Sequence, residues 1–178
     1  DHYLLNGTKM WITNGGYADL YLVFATLDPQ RKHKGIIGLI VPSHLEGISH
    51  GDPIDKMGQR ASNTTAVTFK DVRVPKENLL GGETDGFKKA MAALDITRPM
   101  IGIGAVGLAR AAMELAVAYA AKRVQFGVPI ARHQSIQFLL ADMAKDIEAA
   151  RLLVWKSAWL ADQGVRNSKE AAMAKAFA

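Results

Sequence analysis

An indole and a hydroxyl lie two residues apart near the start of the chain. Trp11 and Thr13 belong to a run typical of a β-strand, and alternate residues of a strand point to the same face. The Asn14-Gly15 pair that follows is a strong turn signal, because both residues tolerate positive φ. A broad apolar wall beside a small hydrogen-bond donor suits a flat aromatic ligand. An ordinary hairpin end with a half-buried tryptophan is the alternative interpretation, since aromatic residues are common in strands.

A second group of residues, further along the chain, has the chemistry to bind phosphate. Asp95, Thr97 and Arg98 place a carboxylate, a hydroxyl and a guanidinium beside Pro99. The planar guanidinium fork of arginine suits phosphate oxygens. A capped helix start with an exposed Asp–Arg pair accounts for the same residues. The residues alone therefore leave both interpretations open.

A third group combines a cation, an amide and an aromatic ring. Arg123, Gln125 and Phe126 stand at the end of a helical pattern, just before Gly127. A cation near the carboxyl end of a helix also suits the helix dipole, which is the simpler interpretation of Arg123.

Several kinds of site are disfavoured. Residues 102–107 match the dinucleotide fingerprint G-x-G-x-x-G, but that motif requires a preceding strand, and Thr-Arg-Pro precedes it here within a helical pattern. Small residues at these positions favour close helix–helix packing instead. The five histidines show no spacing suited to metal ligands, and we predict no metal site. The absence of cysteine excludes disulfides and thiolate chemistry within these residues.

The elements that must position these residues change type along the chain. Short β-rich runs ended by glycine or proline predict a barrel or sandwich before residue 75, with strands over residues 3–5, 8–13, 20–27, 36–41 and 66–74. The first two of these strands are predicted to be joined by an Asn6-Gly7 turn.

The remainder of the chain has helical periodicity. We predict helices over residues 87–94 and 101–123, with a kink or restart near Thr97 because Pro99 interrupts the pattern. A third helix with one clear apolar face follows and ends at Gly164. Asn167 with Glu170 resembles a capping box that opens a last helix. The fold class predicted from these elements is α+β.

Composition sets broad limits. The chain has 178 residues, 49% hydrophobic and 22% charged, with a net charge of +5 scattered along its length. We expect no apolar run of the length of about 20 residues that a membrane span needs, and no signal peptide is visible. The chain begins without methionine and stops inside a helical pattern, so we expect it to be a fragment of a longer protein.

Five stretches together resemble the acyl-CoA dehydrogenase family of flavoproteins, nearest to its medium- and short-chain members. They are NGTKMWITNG at 6–15, MGQRASNT at 57–64, VRVPKEN at 72–78, DITRP at 95–99, and KRVQFG at 122–127 with His133-Gln134. Their order and spacing agree with the family over essentially the whole chain. The resemblance implies a middle β-barrel domain over residues 1–80, followed by part of an α-helical, four-helix-bundle domain over residues 81–178.

The resemblance also assigns site residues. It places Trp11 and Thr13 against the flavin of FAD, with the Thr13 hydroxyl near flavin N5. It places Asp95, Thr97 and Arg98 along the acyl-CoA, near its adenosine and phosphate end. The ADP half of an FAD held mainly by a neighbouring subunit is implied to contact Arg123, Gln125, Phe126, His133 and Gln134. Because the resemblance implies that two subunits contact the same FAD, it also implies a homo-oligomer, usually a tetramer.

The implied reaction is α,β-dehydrogenation of a straight-chain acyl-CoA in fatty acid β-oxidation, with electrons passed to an electron-transfer flavoprotein. Two alternatives stay open: an acyl-CoA oxidase that uses oxygen, and a non-catalytic flavin-binding relative that binds nucleic acid. The chain lacks the clustered basic stripe with interleaved aromatic residues that nucleic-acid binding favours. We expect no nucleic-acid partner and no membrane span. The expected location is the cytoplasm if the protein is bacterial and the mitochondrial matrix if it is eukaryotic.

The catalytic base is the one part of the reaction without a candidate. In isovaleryl- and long-chain-type members, the resemblance places a glutamate at the position that Thr97 fills here. A threonine cannot abstract a carbon-bound proton at neutral pH, and Asp95 is better matched to the CoA end. We therefore expect a glutamate beyond Ala178 to be the base, and the fragment alone to be inactive.

Overall fold

Two antiparallel sheets form the amino-terminal half of the computed structural model, which describes all 178 residues. The first sheet has the order β1-β5-β4 and the second pairs β2 with β3. Their bounds are β1 His2–Thr13, β2 Leu20–Thr26, β3 Ile36–Pro42, β4 Ile48–His50 and β5 Thr64–Pro75. The α+β fold class predicted from the sequence is confirmed.

Alternating apolar residues from both sheets build a single core. Val41, Val72 and Val74 are fully buried, and Phe69 packs edge-on against the ring of Tyr21. The buried members of this core are Leu5, Val23, Ile37, Leu39, Val41, Val67, Phe69, Val72 and Val74. Because no ladder joins the two sheets, burial of these side chains holds them together.

The predicted turn at Asn6-Gly7 is wrong, because β1 runs through both residues without reversing. The pairing with β5 shifts register between Leu5 and Gly7, which makes an irregularity in the ladder and not a hairpin. Asp71 on β5 has φ of 53° and Gly7 has φ of 140°. The Asn6 side chain accepts a bond from the Asp71 backbone N–H (2.9 Å) and donates one to its carboxylate (3.0 Å). The Asn-Gly pair therefore bonds across the sheet.

The chain folds into two compact units, residues 1–91 and 92–178. The domain boundary near residue 80 stays a prediction of the sequence. Helix α1 (Gly86–Lys122) begins in the first unit and continues into the second. The second unit also contains the short strands β6 (Val124–Gln125) and β7 (Val128–Pro129), and the helices α2 (Gln134–Asp162) and α3 (Ser168–Phe177).

The predicted break near Thr97 is also wrong, since α1 continues through Pro99. A proline has no N–H, so the carbonyl four residues earlier loses its helical partner. That carbonyl belongs to Asp95, and it accepts a hydrogen bond of 3.4 Å from the side-chain amide of Asn167. A side chain from outside the helix thus supplies the donor that Pro99 lacks.

The fingerprint-like glycines lie inside α1, where no strand precedes them. A Cβ on Gly102 would lie 3.0 Å from Val154 Cγ2 and 3.3 Å from the Ala174 carbonyl oxygen. Gly104 and Gly107 face open space. Close packing of α1 against its neighbours therefore explains Gly102.

The last two helices agree with the predicted periodicity in part. Ile147, Ala150 and Val154 of the predicted α2 face are buried, whereas Leu139 and Met143 on the same face are exposed. α2 ends at Asp162, and Gly164 follows two residues later with φ of 68°, which agrees with the predicted end of the helix.

The last helix opens as expected after Asn167, but the predicted cap is wrong. The Asn167 side chain makes no capping bond. It turns inward instead, where it donates to the carbonyl of buried Ser157 (3.0 Å) and to its hydroxyl (3.1 Å).

Helix α1 is long and apolar enough, by length and composition, to cross a membrane, which corrects the expectation that no run has that length. Little of its most apolar stretch is buried within these residues. A helix that is apolar on most of its circumference requires an apolar cover. The exposed side chains that such a cover would bury include Ile101, Leu108 and Leu115.

Candidate functional site

The carboxyl end of β1 has an irregular backbone at Trp11. Lys9 pairs with Val67 and Ile12 pairs with Thr65, so two residues of β1 lie opposite one residue of β5. This is a β-bulge, a feature that re-aims side chains and is frequent beside active sites. Trp11 occupies it with φ of 56°, which is uncommon for a bulky residue.

The bulge leaves the indole outside the core. Trp11 is 73% exposed, so it is not the half-buried tryptophan of an ordinary hairpin end. Thr13 is exposed as well, while Ile12 between them packs against the core. The structure therefore presents the predicted indole and hydroxyl to the outside of the first unit.

Several hydrogen bonds fix the turn that follows β1. The backbone carbonyl of Asn63 accepts from the Asn14 N–H (2.9 Å), and its side-chain oxygen accepts from the Gly16 N–H (3.2 Å). The Tyr21 hydroxyl donates to the Gly15 carbonyl (2.7 Å). Burial raises the pKa of Tyr21 above its ordinary value, which is already well above neutral pH, so the hydroxyl is a protonated donor there. The MGQRASNT stretch thus contributes Asn63 to the support of Trp11 and Thr13.

A mainly apolar cavity of about 360 Å³ adjoins Thr13 in the same unit. Ile12, Tyr21 and Phe24 contribute to its wall, and Lys9 lies at its edge. The Lys9 ammonium donates to the Phe24 carbonyl at 2.8 Å, which holds it in place. An apolar wall with few polar groups is typical of a small-molecule site.

The phosphate-binding candidates of the second unit are only partly brought together. Arg98 Nη1 lies 3.7 Å from Asp95 Oδ1, one helical turn away, and both side chains are partly buried. Thr97 is exposed and does not face Asp95, because residues two apart point to different sides of a helix. The structure therefore places Asp95 and Arg98 in one pair and Thr97 apart from it.

Sequence analysis missed two residues that contact this pair. The Ser168 hydroxyl donates to Asp95 Oδ2 at 2.5 Å, and Asn167 donates to the Asp95 carbonyl. Both lie more than seventy residues along the chain from Asp95. The one local signal was Pro99, which leaves the Asp95 carbonyl in need of a donor.

The third group lies on a tight hairpin. β6 and β7 are joined by Phe126 (φ 56°) and Gly127 (φ 79°), the two positive φ values that a two-residue hairpin turn favours. Phe126 is 85% exposed at the tip. Its ring lies 6.0 Å from that of His133, edge to face, and His133 Nε2 lies 3.3 Å from the Gln125 carbonyl oxygen.

Arg123 and Gln134 flank the hairpin. Arg123 directly follows α1, and its carbonyl accepts from the Ile130 N–H at 2.8 Å, which closes the base of the hairpin. Gln134 begins α2. Both side chains are exposed, so a guanidinium and an amide stand on the two elements that flank the hairpin and its exposed aromatic ring. This donor set fits an anionic group attached to a planar ring.

Family models match nearly the whole chain. The acyl-CoA dehydrogenase middle domain matches residues 1–72, and the acyl-CoA dehydrogenase C-terminal domain matches residues 84–178. The mitochondrial short-chain specific acyl-CoA dehydrogenase of Rattus norvegicus is 49% identical over 98% of this chain and 42% of its own length.

Solved structures agree in fold. Butyryl-CoA dehydrogenase from Megasphaera elsdenii is 46% identical with a TM-score of 0.95, over 99% of this chain and 46% of that one. A chain in the structure of the electron transferring flavoprotein of Acidaminococcus fermentans is 47% identical with a TM-score of 0.95, over 99% and 47%. The chain thus spans about half the length of the relatives it matches. With both family domains matched in order, this chain belongs to the acyl-CoA dehydrogenase family.

Proposed function

We propose that the full-length protein is an FAD-dependent dehydrogenase that converts a short, straight-chain acyl-CoA to its trans-2-enoyl-CoA. The observation that carries this proposal is the exposed Trp11–Thr13 pair, set on a β-bulge within a chain 49% identical to a short-chain acyl-CoA dehydrogenase. A positive φ at a bulky residue costs stability, and such strain is concentrated at functional sites.

The residues of both units fit FAD. Trp11 and Thr13 would hold the flavin ring, by an apolar face and a hydroxyl donor. Arg123 and Gln125, together with Phe126, His133 and Gln134, would contact the ADP half of a different FAD, one held mainly by a neighbouring subunit. Bound at Trp11 and Thr13, FAD supplies the acceptor for the hydride that leaves the β carbon of the acyl group.

The candidate substrate-binding residues lie in the second unit. Asp95, Thr97 and Arg98 are proposed to bind the adenosine and phosphate part of CoA, with Arg98 as the cation for phosphate. Asp95 retains acceptor capacity for a sugar hydroxyl or an amine, because a carboxylate offers about four lone-pair sites. Thr97 is exposed on another side of α1, apart from the Asp95–Arg98 pair.

We further propose a homotetramer that passes electrons to an electron-transfer flavoprotein. A homo-oligomer would cover exposed apolar side chains such as Leu108 and Leu115 on α1 and Phe138 on α2. It would also bring a second subunit to the exposed Phe126 hairpin. The similarity to a chain in an electron transferring flavoprotein structure supports the electron acceptor.

The reaction is tested with the purified, full-length holoprotein. Under anaerobic conditions, butyryl-CoA should bleach the flavin absorption and yield the trans-2-enoyl product. Failure to bleach with straight-chain acyl-CoA esters of any length would contradict the proposal. Admission of air, followed by a peroxide assay, separates the dehydrogenase from an oxidase: stoichiometric peroxide at each turnover would identify an oxidase.

Thr13→Val should perturb the flavin site without disturbing the fold. Valine nearly keeps the shape but removes the hydroxyl donor, whose net contribution is about 0.5–1.5 kcal/mol. We expect a shifted flavin absorption spectrum and reduction by substrate slowed by about 2- to 12-fold. Thr8→Val on the same strand is the matched control, since Thr8 bonds Thr68 in the sheet. Equal spectra and rates in the two variants would assign Thr13 a purely structural role.

Thr97→Ala should leave proton abstraction almost intact. We propose that the base is a glutamate outside residues 1–178, which also favours a straight-chain over an isovaleryl-type substrate. Exchange of the substrate α proton into D₂O measures this step directly. Since a general base contributes typically about 10²–10⁴-fold, a loss of that size in Thr97→Ala would place Thr97 in the machinery of proton abstraction.

A further inference from the structure

Two consecutive residues at the start of α3 contact Asp95 from different sides. Asn167, which is buried, donates to the Asp95 backbone carbonyl, and Ser168 donates to its carboxylate. The Asn167 amide also bonds the carbonyl and hydroxyl of fully buried Ser157 on α2. The Asn167 side chain thus links α1, α2 and the start of α3 within the second unit.

The bond from Asn167 to the Asp95 carbonyl replaces a helical hydrogen bond that Pro99 cannot make. Because proline lacks an N–H, the Asp95 carbonyl has no partner inside α1. The Asn167 bond supplies one, and it fixes the helix at the turn that carries Asp95 and Arg98.

The side-chain contact determines how Asp95 meets Arg98. Ser168 occupies Asp95 Oδ2 at 2.5 Å, while Arg166 Nε donates to the Ser168 hydroxyl oxygen at 3.0 Å. Asp95 Oδ1 remains 3.7 Å from Arg98 Nη1, beyond the distance of about 2.7–2.9 Å that a charge-assisted hydrogen bond takes. Arg98 therefore keeps its N–H donors for another acceptor.

We propose that Ser168 is a positioning residue that holds the Asp95 carboxylate back from Arg98, so that the guanidinium binds a phosphate of the CoA ester. Without the Ser168 bond, the Asp95 carboxylate is free to rotate and close a bidentate pair with Arg98. The carboxylate then competes with phosphate for the same donors. This inference rests on the proposed function, which supplies the CoA ester as the ligand of Arg98.

The test compares three variants of the full-length holoprotein by titration with CoA itself. Ser168→Ala should raise the dissociation constant for CoA by about 3- to 10-fold, and its effect on turnover should fall on KM more than on kcat. Ser168→Thr keeps the hydroxyl and should restore the wild-type dissociation constant. Ala172→Ser is the control, because it lowers helix propensity at an exposed position of α3 whose side chain makes no hydrogen bond to Asp95.

An unchanged dissociation constant in Ser168→Ala would overturn the inference. An equal rise in Ala172→Ser, or no recovery in Ser168→Thr, would also overturn it, by tracing the effect to α3 itself. Wild-type protein that fails to bind CoA refutes both this inference and the proposed function. Wild-type protein that binds CoA but forms no enoyl product refutes the proposed function alone, and the three dissociation constants still decide the role of Ser168.

Discussion

Replacement of Arg123 by alanine is expected to weaken FAD binding by the full-length oligomer by about 10- to 150-fold. The guanidinium lies exposed at the base of the β6–β7 hairpin, where we propose that it binds the pyrophosphate of a neighbouring subunit's FAD. Loss of a charge-assisted hydrogen bond costs about 1.5–3 kcal/mol, and each 1.4 kcal/mol corresponds to about tenfold in affinity. The measurement is the dissociation constant of FAD, with the flavin content of the purified protein.

Arg110→Ala is the matched control for this experiment. Arg110 is an exposed arginine on α1 that pairs with Glu114 at 3.0 Å, and it belongs to none of the proposed sites. An exposed pair of this kind contributes little to stability. Full flavin content and an unchanged FAD dissociation constant in Arg123→Ala would show that Arg123 only suits the dipole at the end of α1.

Strands whose boundaries depend on local chemistry could be predicted from the sequence. The predicted runs over residues 20–27 and 36–41 correspond to β2 (Leu20–Thr26) and β3 (Ile36–Pro42). Each is a continuous apolar run that a proline or an Asp-Pro pair closes. Such signals depend on neighbouring residues alone, so no knowledge of the tertiary structure was needed.

Two errors had the opposite origin, because the deciding partner lies far along the chain. Asn6-Gly7 resembled a turn, but Asn6 bonds Asp71, 65 residues away. Pro99 indicated a break, but Asn167, 72 residues away, donates to the Asp95 carbonyl that Pro99 leaves without a helical partner. Local propensity is overridden in both places by a side-chain amide that supplies hydrogen bonds to distant residues.

The candidate site was predictable in residue type and less so in geometry. Alternation along β1 predicted that Trp11 and Thr13 share one face, and the structure shows both side chains exposed. The β-bulge at Trp11 depends on its register with β5, which the local sequence does not encode. Helical spacing would have separated Thr97 from Asp95 and Arg98, had the helix been predicted to continue through Pro99.

Asn167→Ala should destabilise the protein by about 2–4 kcal/mol, although Asn167 contacts neither proposed ligand. The alanine removes the amide that serves the Ser157 carbonyl, the Ser157 hydroxyl and the Asp95 carbonyl. Ser157 is fully buried, and its carbonyl keeps its helical N–H partner within α2, so the groups that lose a donor are the Ser157 hydroxyl oxygen and the Asp95 carbonyl. A buried polar group left without its partner costs about 1–3 kcal/mol, and a second one adds to that loss.

The thermal unfolding midpoint of the holoprotein measures this loss, with Gln163→Ala as the control. Gln163 follows α2 and is exposed, so its truncation removes a similar side chain without opening a buried network. We expect a clearly lower midpoint for Asn167→Ala and almost no change for Gln163→Ala, since exposed substitutions stay within about 0.5 kcal/mol. If the two midpoints agree, α1 passes through Pro99 without help from Asn167. In that case the support of Asp95 comes from Ser168 alone.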